Sequence, residues 1–88
     1  MNNEKSFSQA KKLLVGGVNS PVRSYSNVGG TPIFIEKGLG PTVTDVEGKN
    51  YVDYVGSFGP AILGHANEAV VEAVQKQVLN GFGFGAPS

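Results

Sequence analysis

The sequence predicts a mixed α/β chain, of α+β arrangement within its 88 residues: an N-terminal helix, a small antiparallel sheet and a following helix. Two amphipathic stretches with helical spacing flank a central region rich in β-branched and aromatic residues. Two of the central runs are joined by a glycine-containing connection of hairpin length. Together these observations indicate the order helix, three strands, helix.

The first helix is predicted over about Ser6–Val15. Its apolar face consists of four residues at helical spacing: Phe7, Ala10, Leu13 and Leu14. The pair Gly16–Gly17 provides the stop that helix C-termini favour. Residues 18–32 show no periodicity and contain prolines and paired glycines, so they are predicted to form a loop.

Three short strands are predicted from their β-branched and aromatic content: Ile33–Glu36, Thr42–Val46 and Tyr51–Tyr54. The connection Glu47–Asn50 contains a glycine and joins the second and third as a hairpin, which makes the sheet antiparallel. Asp45 and Asp53 are interpreted as hairpin charges on the solvated face of this sheet.

Residues 56–64 are apolar but hold three glycines and a proline, which indicates a buried or ligand-facing loop. The second helix is predicted over Glu68–Leu79, with Asn67 as its N-cap. One face of this helix is a valine stripe: Val70, Val71, Val74 and Val78. The glycine-rich tail contains two phenylalanines that nothing nearby would cover, so we expect the natural polypeptide to continue.

Composition excludes several classes of function. Seven basic residues balance seven acidic ones, so no basic field favours nucleic acid or a membrane surface. The chain has no cysteine, which is compatible with a reducing compartment, and no apolar run of membrane-spanning length. Its polar N-terminus resembles neither a secretion signal nor a transit peptide. A cytoplasmic location is therefore expected.

Arg23 is the single arginine and lies in the loop Gly16–Arg23, which is bordered by glycines and contains Pro21. A guanidinium held by stiff neighbours can grip a carboxylate through two charge-assisted hydrogen bonds, so Arg23 is the preferred substrate anchor. A surface arginine and a structural ion pair are the alternatives. The lone His65 has no cysteine or second histidine nearby, so a hydrogen-bonded structural histidine is expected and no metal site is predicted.

No other pattern predicts chemistry within these residues. Gly81, Gly83 and Gly85 follow a helix instead of a strand, and no lysine closes their loop, so neither phosphate-binding fingerprint is met. None of the six lysines has an apolar setting that would lower the pKa of its amine. We therefore predict neither a catalytic residue nor a cofactor-binding residue in this chain.

Several strings resemble the class-III aminotransferase family of pyridoxal-phosphate-dependent enzymes. They are residues 16–23 (GGVNSPVR), 28–34, 45–48, 51–57, 63–65 and 84–87. The motifs D-x-x-G, Y-x-D-Y and G-H are shared across the family and identify only the family as a whole. The string GGVNSPVR is far more selective and points to one type of enzyme within it. The resemblance extends over essentially the whole chain.

The resemblance implies a type-I pyridoxal-phosphate transferase fold, a homodimer, and an intramolecular amine transfer in tetrapyrrole (porphyrin) biosynthesis. It also implies substrate-binding roles for three residues: Arg23 as the carboxylate anchor, Ser20 in the same string, and Phe58 in the pocket wall. The family usually has tryptophan at the Phe58 position, so the indole N–H donor is lost here. The residues that hold pyridoxal 5'-phosphate are expected beyond residue 88.

We therefore predict that residues 1–88 are one N-terminal segment, without separate domains, of a longer enzyme, and that the segment is inactive alone. Two alternatives remain open at this point. One is another class-III aminotransferase, such as an amino-acid or polyamine enzyme. The other is a small non-catalytic interaction module, since 88 residues are enough to fold.

Overall fold

The computed structural model describes residues 1–88, apart from the side chain of Pro21. Its helices and strands, in chain order, are α1 (Asn3–Leu13), β1 (Ile35–Leu39), β2 (Thr42–Asp45), β3 (Asn50–Val52) and α2 (Glu68–Val78). Three short 3₁₀ turns lie in the connections, at Val15–Gly17, Pro21–Ser24 and Gly56–Phe58. The predicted α+β arrangement is confirmed.

Helix α1 begins three residues earlier than predicted, because Asn2 acts as its N-cap. The Asn2 side chain accepts a hydrogen bond from the Lys5 N–H at 2.8 Å, which satisfies one of the free amides of the first turn. The helix ends at Leu13, since Leu14 has extended backbone angles. The predicted boundaries Ser6–Val15 were therefore wrong at both ends.

The three strands form one antiparallel sheet in the order β1-β2-β3, as predicted. Val43 lies at its centre, opposite Gly38 of β1 and Tyr51 of β3. Strand β1 begins two residues later than predicted. The reason is that the Phe34 N–H donates to the side chain of Asn3 in α1, at 2.6 Å, instead of to a neighbouring strand.

The interpretation of Asp45 and Asp53 as solvated hairpin charges was wrong. Asp45 is 1% exposed and is the largest fully buried side chain among the described residues. Asp53 follows β3 directly, and its side chain is 15% exposed. Both carboxylates accept several hydrogen bonds, which is the condition under which a charge can leave water.

Helix α2 is confirmed within one residue of its predicted end. The Asn67 side chain accepts from the Val70 N–H at 3.3 Å, as an N-cap does. Its valine stripe, however, remains substantially exposed, with Val74 at 46%, and only its first two valines, Val70 and Val71, line a pocket with the preceding loop. Among the described residues, no helix is long and apolar enough to cross a membrane.

The fold has no buried apolar core. In the part of the chain that the structure describes, every hydrophobic side chain retains contact with solvent. The radius of gyration is 15.9 Å, against about 12 Å for a compact domain of this length. The loop at residues 56–64 is also largely exposed, so its burial within this chain, one of the two predicted alternatives, was wrong.

Candidate functional site

The loop that carries Arg23 is built on a glycine that no other residue could replace without movement. Gly17 is buried and has φ +76°, a conformation that L side chains rarely adopt. A Cβ atom there would lie 2.7 Å from Cε2 of Phe7. The Phe7 ring also faces Phe34, with ring centroids 6.3 Å apart, and the Nζ of Lys11. Gly17 therefore brings the loop against α1 and the start of the sheet.

A 3₁₀ turn at Pro21–Ser24 then presents Arg23. The Arg23 N–H donates to the Ser20 carbonyl at 3.0 Å, and the turn ends at Tyr25 in the left-handed region, φ 61°. The guanidinium Nη1 donates to Oδ1 of Asn19 at 2.9 Å. Among the described residues no carboxylate lies within 4.0 Å of this guanidinium, so the structural ion pair considered from the sequence does not form here.

Arg23 and Asn19 are the two residues with polar side chains in the lining of a cavity of about 500 Å³. The rest of the lining is mainly apolar and includes Leu14, Val18 and Phe34. A cavity with one cationic group and apolar walls suits a small ligand with a single acid group. A carboxylate placed there could take two parallel N–H bonds from the guanidinium.

Ser20 and Phe58 occupy different places. Ser20 lines a neighbouring cavity of about 470 Å³, which shares Val18 and Asn19 with the first. Phe58 is 81% exposed and lines neither cavity. The structure thus brings Ser20 close to Arg23 along the loop and does not bring Phe58 to them. Their substrate-binding roles stay predictions.

The backbone at Phe58 is strained and is held by Asp53. Ser57 and Phe58 both have positive φ, 56° and 63°, which non-glycine residues seldom adopt. Immediately before them, Asp53 Oδ1 accepts from the N–H groups of Val55 and Gly56, at 2.9 and 3.0 Å. A hydrogen bond from His65 is the largest of the effects that hold the pKa of Asp53 below its ordinary value.

His65 is a hydrogen-bonded structural histidine, as expected. Its Nε2 lies 2.5 Å from Oδ2 of Asp53, and its backbone exchanges two hydrogen bonds of 2.8 Å with Gly40. Its ring covers Gly38, where a Cβ atom would lie 2.6 Å from the ring Cγ. This arrangement joins β1, the end of β3 and the entry to α2. No group of three residues able to hold a metal ion occurs in the described part of the chain.

Asp45 is the polar centre of the hairpin, a role the sequence reasoning missed. Its Oδ1 accepts from the N–H groups of Glu47 and Lys49, both at 2.9 Å, and its Oδ2 from the Tyr51 hydroxyl at 3.1 Å. Its spacing from Gly48 was an available signal, because Asp at the first position and Gly at the fourth is typical of a capped turn.

Asn3 connects α1 to this hairpin. Its backbone N–H and side-chain amide both donate to Oε2 of Glu47, and the amide also donates to Asp45 Oδ2 at 3.3 Å. Burial raises the pKa of Asp45, but the hydrogen bonds lower it by more, so the net shift is downward. The pKa of Tyr51 is raised, first by burial and then by its hydrogen bond to Asp45.

The lysines and most of the tail glycines lie open to solvent. All six lysines are exposed, so none is a desolvated amine. The tail glycines are also largely open, and nothing lies within 4 Å of a Cβ atom built at Gly83 or Gly85. What the arrangement can supply is a carboxylate anchor on a stiff loop.

Comparison with known proteins places these observations in a family. Residues 24–84 match the sequence pattern of the class-III aminotransferases. Over 82 residues, 93% of this chain, the sequence is 58% identical to a curated glutamate-1-semialdehyde 2,1-aminomutase from Polaromonas naphthalenivorans (strain CJ2). The chain spans only 19% of the length of that relative.

Solved structures agree on the fold. A transaminase with PLP bound matches 100% of this chain and 21% of its own, with a TM-score of 0.78 and 35% identity. A glutamate-1-semialdehyde aminomutase from Pseudomonas aeruginosa PAO1 matches 98% of this chain and 19% of its own, with a TM-score of 0.81 and 24% identity. At that identity the second likeness shows the fold alone.

Proposed function

Because this chain belongs to the class-III aminotransferase family, we propose that it is the N-terminal part of a glutamate-1-semialdehyde 2,1-aminomutase. The complete enzyme converts glutamate-1-semialdehyde, which is (S)-4-amino-5-oxopentanoate, to 5-aminolevulinate in tetrapyrrole biosynthesis. It acts as an intramolecular aminotransferase. The observation that carries this proposal is the 58% identity to a curated aminomutase over 93% of the chain.

Arg23 supplies the carboxylate anchor in this proposal. The reaction moves an amine by one carbon, so one end of the substrate stays held while two carbons take turns at the reacting centre. Fixing the acid group lowers the entropic part of the barrier for the reaction at each of the two carbons. The absence of a carboxylate within 4.0 Å of Arg23, among the described residues, supports this role because the positive charge is left for a ligand.

Ser20 and Phe58 complete the part of the substrate pocket that this chain contributes. Ser20 lies at the start of the turn that presents Arg23, and its carbonyl accepts the Arg23 N–H. Phe58 provides an exposed aromatic face for the pocket wall, which residues outside this chain complete. We propose both as substrate-binding residues.

The cofactor is pyridoxal 5'-phosphate, which supplies the amine-exchange chemistry when bound. Residues outside this chain hold it, consistent with the exposure of all six lysines here. The complete enzyme is a cytoplasmic homodimer in this proposal. Residues 1–88 alone have neither cofactor chemistry nor activity.

The test is an assay of the full-length protein loaded with cofactor. We expect conversion of glutamate-1-semialdehyde to 5-aminolevulinate without an added amino donor or acceptor, because the amine is transferred within one molecule. Full-length protein without the cofactor is the control and should form no product.

Another class-III aminotransferase is the second candidate, because the transaminase and aminomutase structures fit this fold almost equally, with TM-scores of 0.78 and 0.81. That enzyme would require an external acceptor such as 2-oxoglutarate. Poor turnover of glutamate-1-semialdehyde together with efficient transamination of other amines would replace the aminomutase assignment.

A further inference from the structure

We propose that Asn19 is a positioning residue for the substrate anchor: its side-chain oxygen directs the Arg23 guanidinium into the cavity without neutralising the positive charge. The inference rests on the proposed function, in which Arg23 binds the substrate carboxylate. Nothing in the family resemblance or in the comparisons assigns this role to Asn19.

A side-chain hydrogen bond between Arg23 and Asn19 spans the same backbone turn that a main-chain hydrogen bond closes. Nη1 of Arg23 donates to Oδ1 of Asn19 at 2.9 Å, and the Arg23 N–H donates to the Ser20 carbonyl at 3.0 Å. The two bonds close the same turn, one through the main chain and one through the side chains. The long arginine side chain is thereby folded back toward the start of its own loop, where both residues line the cavity of about 500 Å³.

The chemical type of the acceptor decides what the bond can do. A carboxylate beside Arg23 would orient it equally well but would cancel its charge, and a bound acid group would then be repelled. An amide oxygen is neutral and accepts only one of the five guanidinium N–H groups. The remaining N–H groups are enough for the two parallel bonds that a carboxylate takes.

The order that Asn19 provides matters because arginine is otherwise mobile. A free arginine side chain loses rotamer entropy when it is fixed. Arg23 is exposed, and Asn19 is its only side-chain hydrogen-bond partner among the described residues. An anchor already held in place leaves less of this entropy to be lost when the substrate binds.

The test uses the full-length enzyme and the KM for glutamate-1-semialdehyde. Asn19→Ala removes the acceptor, and we expect KM to rise about 3- to 10-fold, with a smaller change in kcat. Asn19→Asp keeps an acceptor but adds a negative charge beside Arg23, so we expect a larger rise in KM than for Asn19→Ala. A merely structural role for Asn19 predicts the reverse, with Asn19→Asp close to the parent enzyme.

Inhibition by 5-aminolevulinate and by its methyl ester separates effects on the acid group from effects on the rest of the ligand. Both variants should weaken inhibition by the acid and leave inhibition by the ester unchanged. Asn27→Ala is the matched control, since Asn27 is an exposed asparagine of the same loop region. Asn27→Ala should change neither the KM for glutamate-1-semialdehyde nor the inhibition by either ligand.

The Arg23→Ala background makes failure of the inference distinguishable from failure of the proposed function. If Arg23→Ala raises KM and Asn19→Ala does not, the positioning role is overturned and the anchor stands. An effect of Asn19→Ala that persists unchanged in Arg23→Ala also overturns it, because Asn19 would then act elsewhere. An unchanged KM in the Arg23→Ala single variant would show that Arg23 is not the substrate anchor. The positioning role of Asn19 would then fail with it.

Discussion

At the scale of single residues, Arg23 is the cation on which the proposed substrate binding depends. Arg23→Ala should weaken binding of glutamate-1-semialdehyde by a few kcal/mol, seen as a rise in KM of about 100-fold in the full-length enzyme. Arg23→Lys should restore only part of the affinity, because an ammonium lacks the planar fork that matches a carboxylate. Lys12→Ala, which removes an exposed cation from α1, is the control and should leave KM unchanged. Parent-like kinetics in Arg23→Ala would remove Arg23 from the site.

Asp45 makes the stability of the hairpin depend on pH. Its pKa is lowered in the folded state, so its contribution is fully present above the unfolded pKa of about 3.9 and is lost as pH falls through the lower folded value. The contribution of Tyr51 to stability depends on pH in the opposite direction. Its raised pKa means that its contribution is present below the unfolded value of about 10 and is lost as pH rises through the folded value.

Asp45→Ala should remove the acid dependence and loosen the turn at neutral pH. The reason is that alanine offers no side-chain acceptor, whereas the carboxylate accepts from four groups at once, the Glu47 and Lys49 amides among them. Amide hydrogen exchange at Glu47 and Lys49 in the full-length protein is the measurement, with faster exchange expected in the variant. Glu36→Gln, at an exposed position of β1, is the control. Unchanged protection of both amides in Asp45→Ala would show that the carboxylate does not hold the turn.

At the scale of elements, His65 and Gly38 form one packing unit between β1 and the entry to α2. Gly38→Ala should destabilise the protein, because the added Cβ would lie 2.6 Å from Cγ of His65. The same change should cost about 1–2 kcal/mol less in a His65→Gly background, which removes both the ring and the His65 Cβ that would lie 2.7 Å from the added atom. Chemical denaturation of the two single variants and the double variant measures this difference.

Gly83→Ala is the matched control for that cycle. Neither Gly38 nor Gly83 requires a positive φ, and a Cβ atom at Gly83 would meet nothing within 4 Å. It should therefore be nearly neutral in both backgrounds. Strict additivity of Gly38→Ala and His65→Gly would contradict the close packing described here.

The elements that sequence reasoning predicted well are those determined locally. Helix α2 has its N-cap and its apolar stripe within twelve consecutive residues, and the β2–β3 hairpin has its turn signal between the two strands. The start of β1 and the burial of Asp45 depend instead on Asn3, which is 42 positions before Asp45. The hydrophobic periodicity of a sequence does not reveal a contact between such distant residues. The same limit applies to the site, where the motif indicated Arg23 but not its bond to Asn19.

At the scale of the whole molecule, the missing core is the dominant property. The described residues include no buried hydrophobic side chain, and α2 presents a valine face that stays 39–57% exposed. Burial of apolar surface is the main favourable term in folding, so these residues lack most of what would stabilise them alone. The 19% coverage of the curated relative is consistent with a larger protein that covers these surfaces.

The isolated 88-residue chain should therefore show weak protection from amide exchange and a tendency to aggregate. Exchange should be fast even in β1–β3, because the sheet has no apolar layer packed against it. Hydrogen exchange of the isolated chain, compared with the same residues in the full-length protein, is the measurement. Strong protection throughout the three strands of the isolated chain would instead favour a self-sufficient interaction module.

The contacts of Asn3 also bear on where the polypeptide can be shortened. Translation from a start codon downstream of Asn3 would leave the Phe34 amide without its acceptor and Asp45 without one of its donors. Removal of the first few residues, often regarded as a harmless trimming of an N-terminus, would here loosen a hairpin more than forty positions away.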